Sequence, residues 1–203
     1  MAQTRIRGPA RRERLLEAAA QIVLDQGVAA VTMEAVALCN GVNRAMAYRY
    51  FADRDDLLVA LLDREYERQT RLITERVDVV ADLEGALRYA LQHWFRHGDL
   101  FMTLCNDSGP LAARAAAIRR ADAVMWAEGI ERKFGLPHVV ALRLAAFMVG
   151  GSYGVAEAHR GEDDATTVDD VVRSIVGAGW ALHGKYAAQI STDGTRAPVA
   201  DAL

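Results

Sequence analysis

Residues Thr32 to Phe51 read TMEAVALCNGVNRAMAYRYF. Thr32 is a good N-cap, and Glu34 stands favourably in the first turn behind it. Gly41 offers a turn, because a left-handed backbone is cheap only for glycine. Asn43 caps a further helix, Arg44 to Phe51, with arginine and tyrosine on its outer face. A helix, a glycine turn and a second helix of this kind form a helix-turn-helix, whose second helix lies in the DNA major groove. Arg44 falls at the start of that helix, where base edges are met. An arginine there can pair bidentately with guanine, worth about 1–3 kcal/mol of discrimination. Ala45 and Met46 share its first turn. Thr32, Tyr48, Arg49, Tyr50 and Arg54 suit phosphates, which fix register but carry no sequence information. Tyr48 and Tyr50 cannot both point inward, and the sequence leaves open which one faces DNA.

The flanking sequence is helical as well. Apolar residues recur at three and four, and no alternation of strand period persists. A first helix starts near Pro9, buries Leu15, Leu16, Ala19, Ile22 and Val23, and stops at Gly27. Val36, Ala37, Val42 and Phe51 complete the core of a three-helix unit. Asp53 caps a fourth helix, whose apolar stripe continues to Ala81, about 40 Å of helix at 1.5 Å per residue. Asp82 caps a fifth, ended by Gly98. A short apolar piece, Leu100 to Cys105, precedes the breaker run NDSGP. A seventh helix spans Pro110 to Phe134, an eighth runs from Pro137 to about His159, and Thr167 caps a ninth to about Ile190. The expected architecture is all-α with about nine helices. Residues 1–52 would be the reader with a basic arm at 1–8, residues 53–190 a helical body, and the tail from Ser191 disordered.

Charge is divided in the same way. Up to Phe51 there are seven Arg against four acidic residues, a balance of +3, and the rest carries −6. One end can meet a polyanion and the other cannot. Two cysteines, Cys39 and Cys105, make no disulfide framework and suit reduced thiols in a cytoplasm. No secretory signal follows the basic start. Val139 to Ala156 is nearly uncharged over about a membrane-spanning length, but Arg143 and the Gly/Ala content suit a buried interface helix.

From Arg12 to about Leu62 the chain resembles the N-terminal domain of TetR-family transcriptional regulators. The resemblance lies in RRERLLEAAAQIVLDQG, in Thr32 followed by Val36 and Ala37, in GVN, in Tyr48-Arg49-Tyr50-Phe51, and in Asp53-Arg54-Asp55. It covers about a quarter of the chain. It implies a homodimeric, usually repressing, DNA-binding protein whose C-terminal helices form a ligand pocket and a dimer interface. Two positions depart from the family pattern. Asn43 stands for the usual Ser or Thr, an equal cap. At Met46-Ala47 large and small are exchanged, so either the third helix packs slightly rotated or Met46 offers an apolar contact to a thymine methyl.

The body supplies an expected effector site and an expected dimer face. Trp94, Phe95, Phe101, Met102, Cys105, Met125, Trp126, Phe147, Met148 and Tyr153 would line an adaptable apolar pocket, although each also suits an ordinary core. His93, His97, Asn106, Asp107, Tyr153 and His159 are polar groups that could orient a ligand. Gly150, Gly151, Gly154, Gly177 and Gly179 each cost a helix about 1 kcal/mol relative to alanine. Close helix approach across a two-fold axis would explain them, with Val155, Val171, Val172, Ile175, Val176 and Leu182 as the apolar contact. Intrachain packing is the alternative. His93 and His97 share a helical face, but no third metal ligand accompanies them. No phosphate loop, nucleophile elbow or carboxylate pair suggests an enzyme. The expected partners are operator DNA, a small-molecule effector and a second copy, with no cofactor and no membrane. Two rival readings remain: a helical carrier or enzyme with a vestigial reader, and a regulator that answers to a protein partner or to nothing.

Overall fold

The computed structural model describes residues 8–159 and 165–193. Among them are nine α-helices and no strand. They are α1 (Pro9–Gln26), α2 (Met33–Cys39), α3 (Arg44–Ala47), α4 (Arg54–Thr74), α5 (Leu83–His97), α6 (Asp99–Cys105), α7 (Ala112–Phe134), α8 (His138–Ala158) and α9 (Ala165–Asp193). The sequence-assigned arm lies almost entirely outside the described residues, and so does the tail beyond Asp193.

Local chemistry sets the helix starts. Pro9 opens α1, where its missing N–H costs nothing. Thr32 Oγ1 accepts from the Ala35 N–H, Asn43 Oδ1 from Met46, Asp53 Oδ1 from Asp56 and Asp82 Oδ1 from Gly85, at 2.8–3.0 Å. Each cap satisfies an otherwise orphaned donor, worth about 1 kcal/mol. After α2 the Val42 N–H bonds the Ala37 carbonyl, and the Gly41 N–H bonds that of Leu38. This Schellman stop requires the left-handed backbone that Gly41 adopts (φ 61°).

Several boundaries differ from expectation. The fourth helix ends at Thr74, not Ala81, so it is about 32 Å long over 21 residues. Beyond it, Asp78 Oδ1 takes the N–H groups of Val80 and Ala81 and folds the chain into a turn. That turn lies against α7, where a Cβ on Gly129 would stand 2.5 Å from the Val79 carbonyl oxygen. The third helix is a single turn, Arg44–Ala47. The seventh begins at Ala112, two residues later than Pro110. The ninth begins at Ala165, which puts Thr167 inside the helix rather than at its cap, and it continues to Asp193.

Packing divides the chain into two connected parts. Helices α1–α3 enclose Leu15, Leu16, Ala19, Val36, Ala37, Ala47 and Phe51, together with Leu57 and Leu58 from the start of α4. Helices α5–α9 form a bundle that the second half of α4 joins through α5 and α6, with α7 and α8 closely paired. An ion cluster joins the parts: Arg64 reaches Glu13 and Glu17 on α1 and the buried Glu65 beside it, and Arg68 closes on Glu65 from outside. Helix α8 is long and apolar enough to cross a membrane, but half of its apolar window is buried in the bundle.

Candidate nucleic-acid interface and effector site

Helix α3 projects from the three-helix unit on Ala47, which is fully buried, and Met46 is half-buried beside it. Asn43, Arg44, Ala45, Tyr48, Arg49 and Thr32 are exposed. Tyr50 is half-buried and packs on the core, so Tyr48 is the outward tyrosine. Arg44 Nη2 donates to the Tyr48 hydroxyl at 2.9 Å, and its guanidinium lies 5.1 Å from the ring centre. Arg44 is also ion-paired with Glu34 of α2. Glu34, read from the sequence only as a helix-terminus charge, therefore also restrains the leading basic group of the reader.

Arg54 is a correction. It was expected on phosphate, yet its Nε donates to the Val31 carbonyl at 2.7 Å and its Nη2 to that of Val28 at 2.8 Å. Val28–Ala30 form a 3-10 turn in which the Val28 carbonyl accepts the Val31 N–H as well as Arg54 Nη2. The guanidinium fork ties the start of α4 to the loop between α1 and α2.

The aromatic side chains separate into distinct places. Trp94, Phe101, Met125 and Trp126, with Tyr66, Gln69, Thr70, Ile73 and Asp122, surround a small interior space of about 10 Å³. A single water needs about 10–15 Å³. Asp122 stands at its edge and accepts the hydroxyls of Tyr66 and Tyr153, each at 2.9 Å. Burial raises the Asp122 carboxyl to about 6, against the two hydrogen bonds that lower it. Burial, then the Asp122 charge, pushes the Tyr66 hydroxyl up to about 12 and moves Tyr153 upward as well. Phe95, Met102, Cys105 and Met148 are buried but do not border this space. The Cys105 thiol is pushed up to about 12 by burial, which leaves it inert.

Phe147 does not line the interior; it is 77% exposed. It lies over an open groove of about 350 Å³ between α8 and α9, bordered by Gly151, Val155, Val171 and Ile175. Helix α8 is apolar on its inner face and largely so on its outer one, where Phe147 falls with Val139, Arg143, Gly150 and Gly154. A Cβ on Gly150, Gly151, Gly154 or Gly177 would meet nothing within 4 Å. Gly179 and Val172 differ from these. A Cβ on Gly179 would fall 2.5 Å from the Phe134 ring, and Val172 is 2% exposed within its own chain. Both serve intrachain packing, while Val155, Ile175, Val176 and Leu182 are half-buried.

The other polar candidates lie away from the interior space. Asn106 donates to Glu157 at 2.8 Å, Asp107 accepts the Gly109 N–H, and the His159 ring stacks on Phe95. The His93 and His97 rings stand 5.4 Å apart, and no group of three potential metal ligands occurs among the described residues. Sequence reasoning missed Asp122, Tyr66 and Gln69. The signal was present: Asp122 lies on the stripe Ala115, Ile118, Trp126, and Gln69 on the stripe Leu58, Leu62, Ile73. A polar residue on an apolar stripe is buried with a purpose.

Residues 15–61 match the family model described as bacterial regulatory proteins, tetR family. Over 78 residues the chain is 43% identical to the HTH-type transcriptional regulator BetI of Rhizobium meliloti (strain 1021), covering 38% of this chain and 36% of that protein. The chain thus matches little more than a third of that curated relative's length. A TetR-like transcriptional regulator from Rhodococcus sp. RHA1 superposes with a TM-score of 0.66 at 20% identity, over 87% of this chain and 99% of that one. The fatty acid degradation regulator FadR from Bacillus halodurans gives 0.62 at 16%, over 85% and 97%. At such identities the likeness is one of fold. Residues 15–61 thus carry the pattern of the tetR family of bacterial regulatory proteins, and over most of its length the chain shares the fold of TetR-like regulators.

Proposed function

We propose that the chain is a cytoplasmic, homodimeric repressor that leaves a palindromic operator when a small apolar or amphipathic molecule enters its helical body. The exposed Arg44–Tyr48 pair on an Asn43-capped recognition helix carries this reading. Arg44, Ala45 and Met46 would meet base edges, and Thr32, Asn43, Tyr48, Arg49 and Tyr50 the backbone. Arg54 has no part in it. Residues up to about 52 form the reader, and α4–α9 the body.

The outer faces of α8 and α9 would form the dimer contact. The open glycines 150, 151, 154 and 177 let a second copy approach, and Phe147 could fill the partner's groove. Helix α4 connects the parts. Its first turns pack into the reader, and Tyr66 and Gln69 border the interior space. A ligand that displaces α4 there changes the separation of the two recognition helices. Only differential affinity shifts such an equilibrium, and moving it from 99:1 to 1:99 takes about 5.5 kcal/mol.

Selection of duplexes from a random library, then anisotropy titration at two salt concentrations, tests the reading. A two-fold symmetric site and a steep salt dependence are expected. A dimer that retains no duplex overturns it. The small size of the interior space favours a second reading, a regulator without a small-molecule effector. Under that reading no small molecule releases the operator.

A further inference from the structure

We propose that Asp122 works as a proton-operated latch, which ties α4 to α7 through the Tyr66 hydroxyl when ionised and lets α4 go when protonated. The proposal rests on the duplex-binding reading above, because α4 carries the reader, and it adds a signal to which that reading assigns no part.

The second half of α4 packs on α5 and α6. Two side-chain bonds link it to α7: Asp63 holds Arg114 and, one turn on, Tyr66 holds Asp122. Gln69, the next polar residue that α4 buries, bonds nothing with either amide atom. Tyr66 is therefore the inner polar hold of α4. Asp122 is 4% exposed. Its Oδ1 takes the Tyr66 hydroxyl and its Oδ2 that of Tyr153 on α8, each at 2.9 Å. Two hydroxyls donating to two oxygens is the pattern of an ionised carboxylate, which only accepts. Among the described residues no cation meets it. A buried charge without a counter-ion takes up a proton readily, and burial raises this carboxyl to about 6.

Protonation cannot leave both bonds as they are. The neutral carboxyl carries an O–H of its own, so one tyrosine has to turn. Tyr153 is 4% exposed, with its ring edge-on to those of Trp94 and Phe101 at 5.2 and 5.9 Å between centres, and it stays. Tyr66 is half-buried, has Thr70 beside its hydroxyl, and is the one that turns. Its bond then loses the strength that the charge gave it. Linkage gives the same sign. The Tyr66 bond lowers the proton affinity of Asp122, so proton uptake favours the arrangement without it. The other groups nearby do not take this role. Tyr66, Tyr153 and Cys105 on α6 stay protonated, held so first by burial. Arg114 is paired with Asp63, and Arg119 donates to the Cys105 carbonyl. His93 on α5 responds to His97 and Arg68. A released α4 spreads the two readers over more separations, and a smaller competent fraction weakens the apparent affinity.

The test compares the unaltered full-length chain with Tyr66→Phe between pH 7.5 and pH 5 at constant ionic strength. Histidine titration is common to both and cancels. Hydrogen exchange read by mass spectrometry should find the α4 amides around Tyr66 better protected in the unaltered chain at pH 7.5, and equally protected in both at pH 5. In anisotropy titrations with the selected duplex, the Kd of the unaltered chain should rise about fivefold relative to Tyr66→Phe, through a midpoint near 6. That factor is about the margin of a charge-assisted hydrogen bond over a neutral one. Asp122→Asn should lose the same step. A tyrosine with a merely structural role would change protection equally at both pH values. That result, or a duplex affinity whose pH course Tyr66→Phe leaves unchanged, overturns the proposal. If the variants fold poorly, the unaltered chain decides: protection of α4 relative to α8 should fall through pH 6, and a constant ratio overturns the proposal. Exchange that follows the proton while no duplex binds supports the latch and removes the regulator reading. Duplex bound with neither step present removes the latch alone.

Discussion

Replacing Asp122 with asparagine should change how stability depends on pH, by an amount that the structure sets. The folded carboxyl titrates near 6, against an ordinary value of 3.8. The folded state therefore holds the proton more tightly than the unfolded chain. This contribution is fully present below about pH 3.8 and is lost as pH rises through 6. Its full size is about 3 kcal/mol, at 1.36 kcal/mol per pH unit of displacement. Between pH 4.5 and 7.5 the part that disappears is about 2 kcal/mol. Other carboxylates titrate in the same window, so the quantity to measure is the difference between the unaltered chain and Asp122→Asn. Urea unfolding at fixed dimer concentration gives it. Relative to Asp122→Asn, the unaltered protein should be about 2 kcal/mol more favoured at pH 4.5 than at pH 7.5. Asparagine keeps an acceptor for at least one tyrosine hydroxyl, so the variant should fold. A stability difference that does not vary with pH would refute the buried, unpaired carboxylate.

Further outcomes follow from the reader, the clamp and the glycines. Arg44→Ala should weaken specific duplex binding by about 1–3 kcal/mol in anisotropy titrations, and Glu34→Gln should strengthen it by releasing the guanidinium. Arg54→Ala should cost about 2–4 kcal/mol of stability in urea unfolding, because it deletes two charged hydrogen bonds to carbonyls. The folded fraction should still bind duplex with nearly unaltered affinity. Gly150→Leu should leave the monomer fold intact and dissociate the dimer in sedimentation, where an unaltered dimer would count against the α8–α9 face. Gly179→Ala should instead lower thermal stability, because Phe134 has to move.

What was legible in the sequence was local. Thr32, Asn43, Asp53 and Asp82 cap by reaching three residues along their own chain, and Gly41 stops α2 through its own dihedral angle. Such chemistry needs no knowledge of the fold. Arg54 was misread because its partners lie 23 and 26 residues away, on carbonyls that the 3-10 turn brings to the start of α4. Phe147 was misread for a related reason. Helix α8 is apolar nearly all round, and the one signal for its outer face was Arg143, exposed one turn before Phe147. Among the glycines, Gly150 and Gly179 look alike in a sequence, and only the position of the Phe134 ring separates them. Asp122 and Gln69 stood on recognisable stripes, but their meeting depends on how α4 lies across α7.

The ion pair between Glu34 and Arg44 bears on how a regulator finds its site in a crowded chromosome. A genome offers about 10⁶–10⁹ competing stretches of unrelated duplex, and success depends on the ratio of right to wrong attachment rather than on strength alone. A guanidinium already engaged by a carboxylate gains little from a passing phosphate, and the carboxylate is itself repelled by the polyanion. If Arg44 reads a guanine, as proposed, a bidentate grip would outweigh this exposed ion pair more readily than a single phosphate contact would. The acidic neighbour would then shorten idle residence on random sequence and sharpen the choice of target.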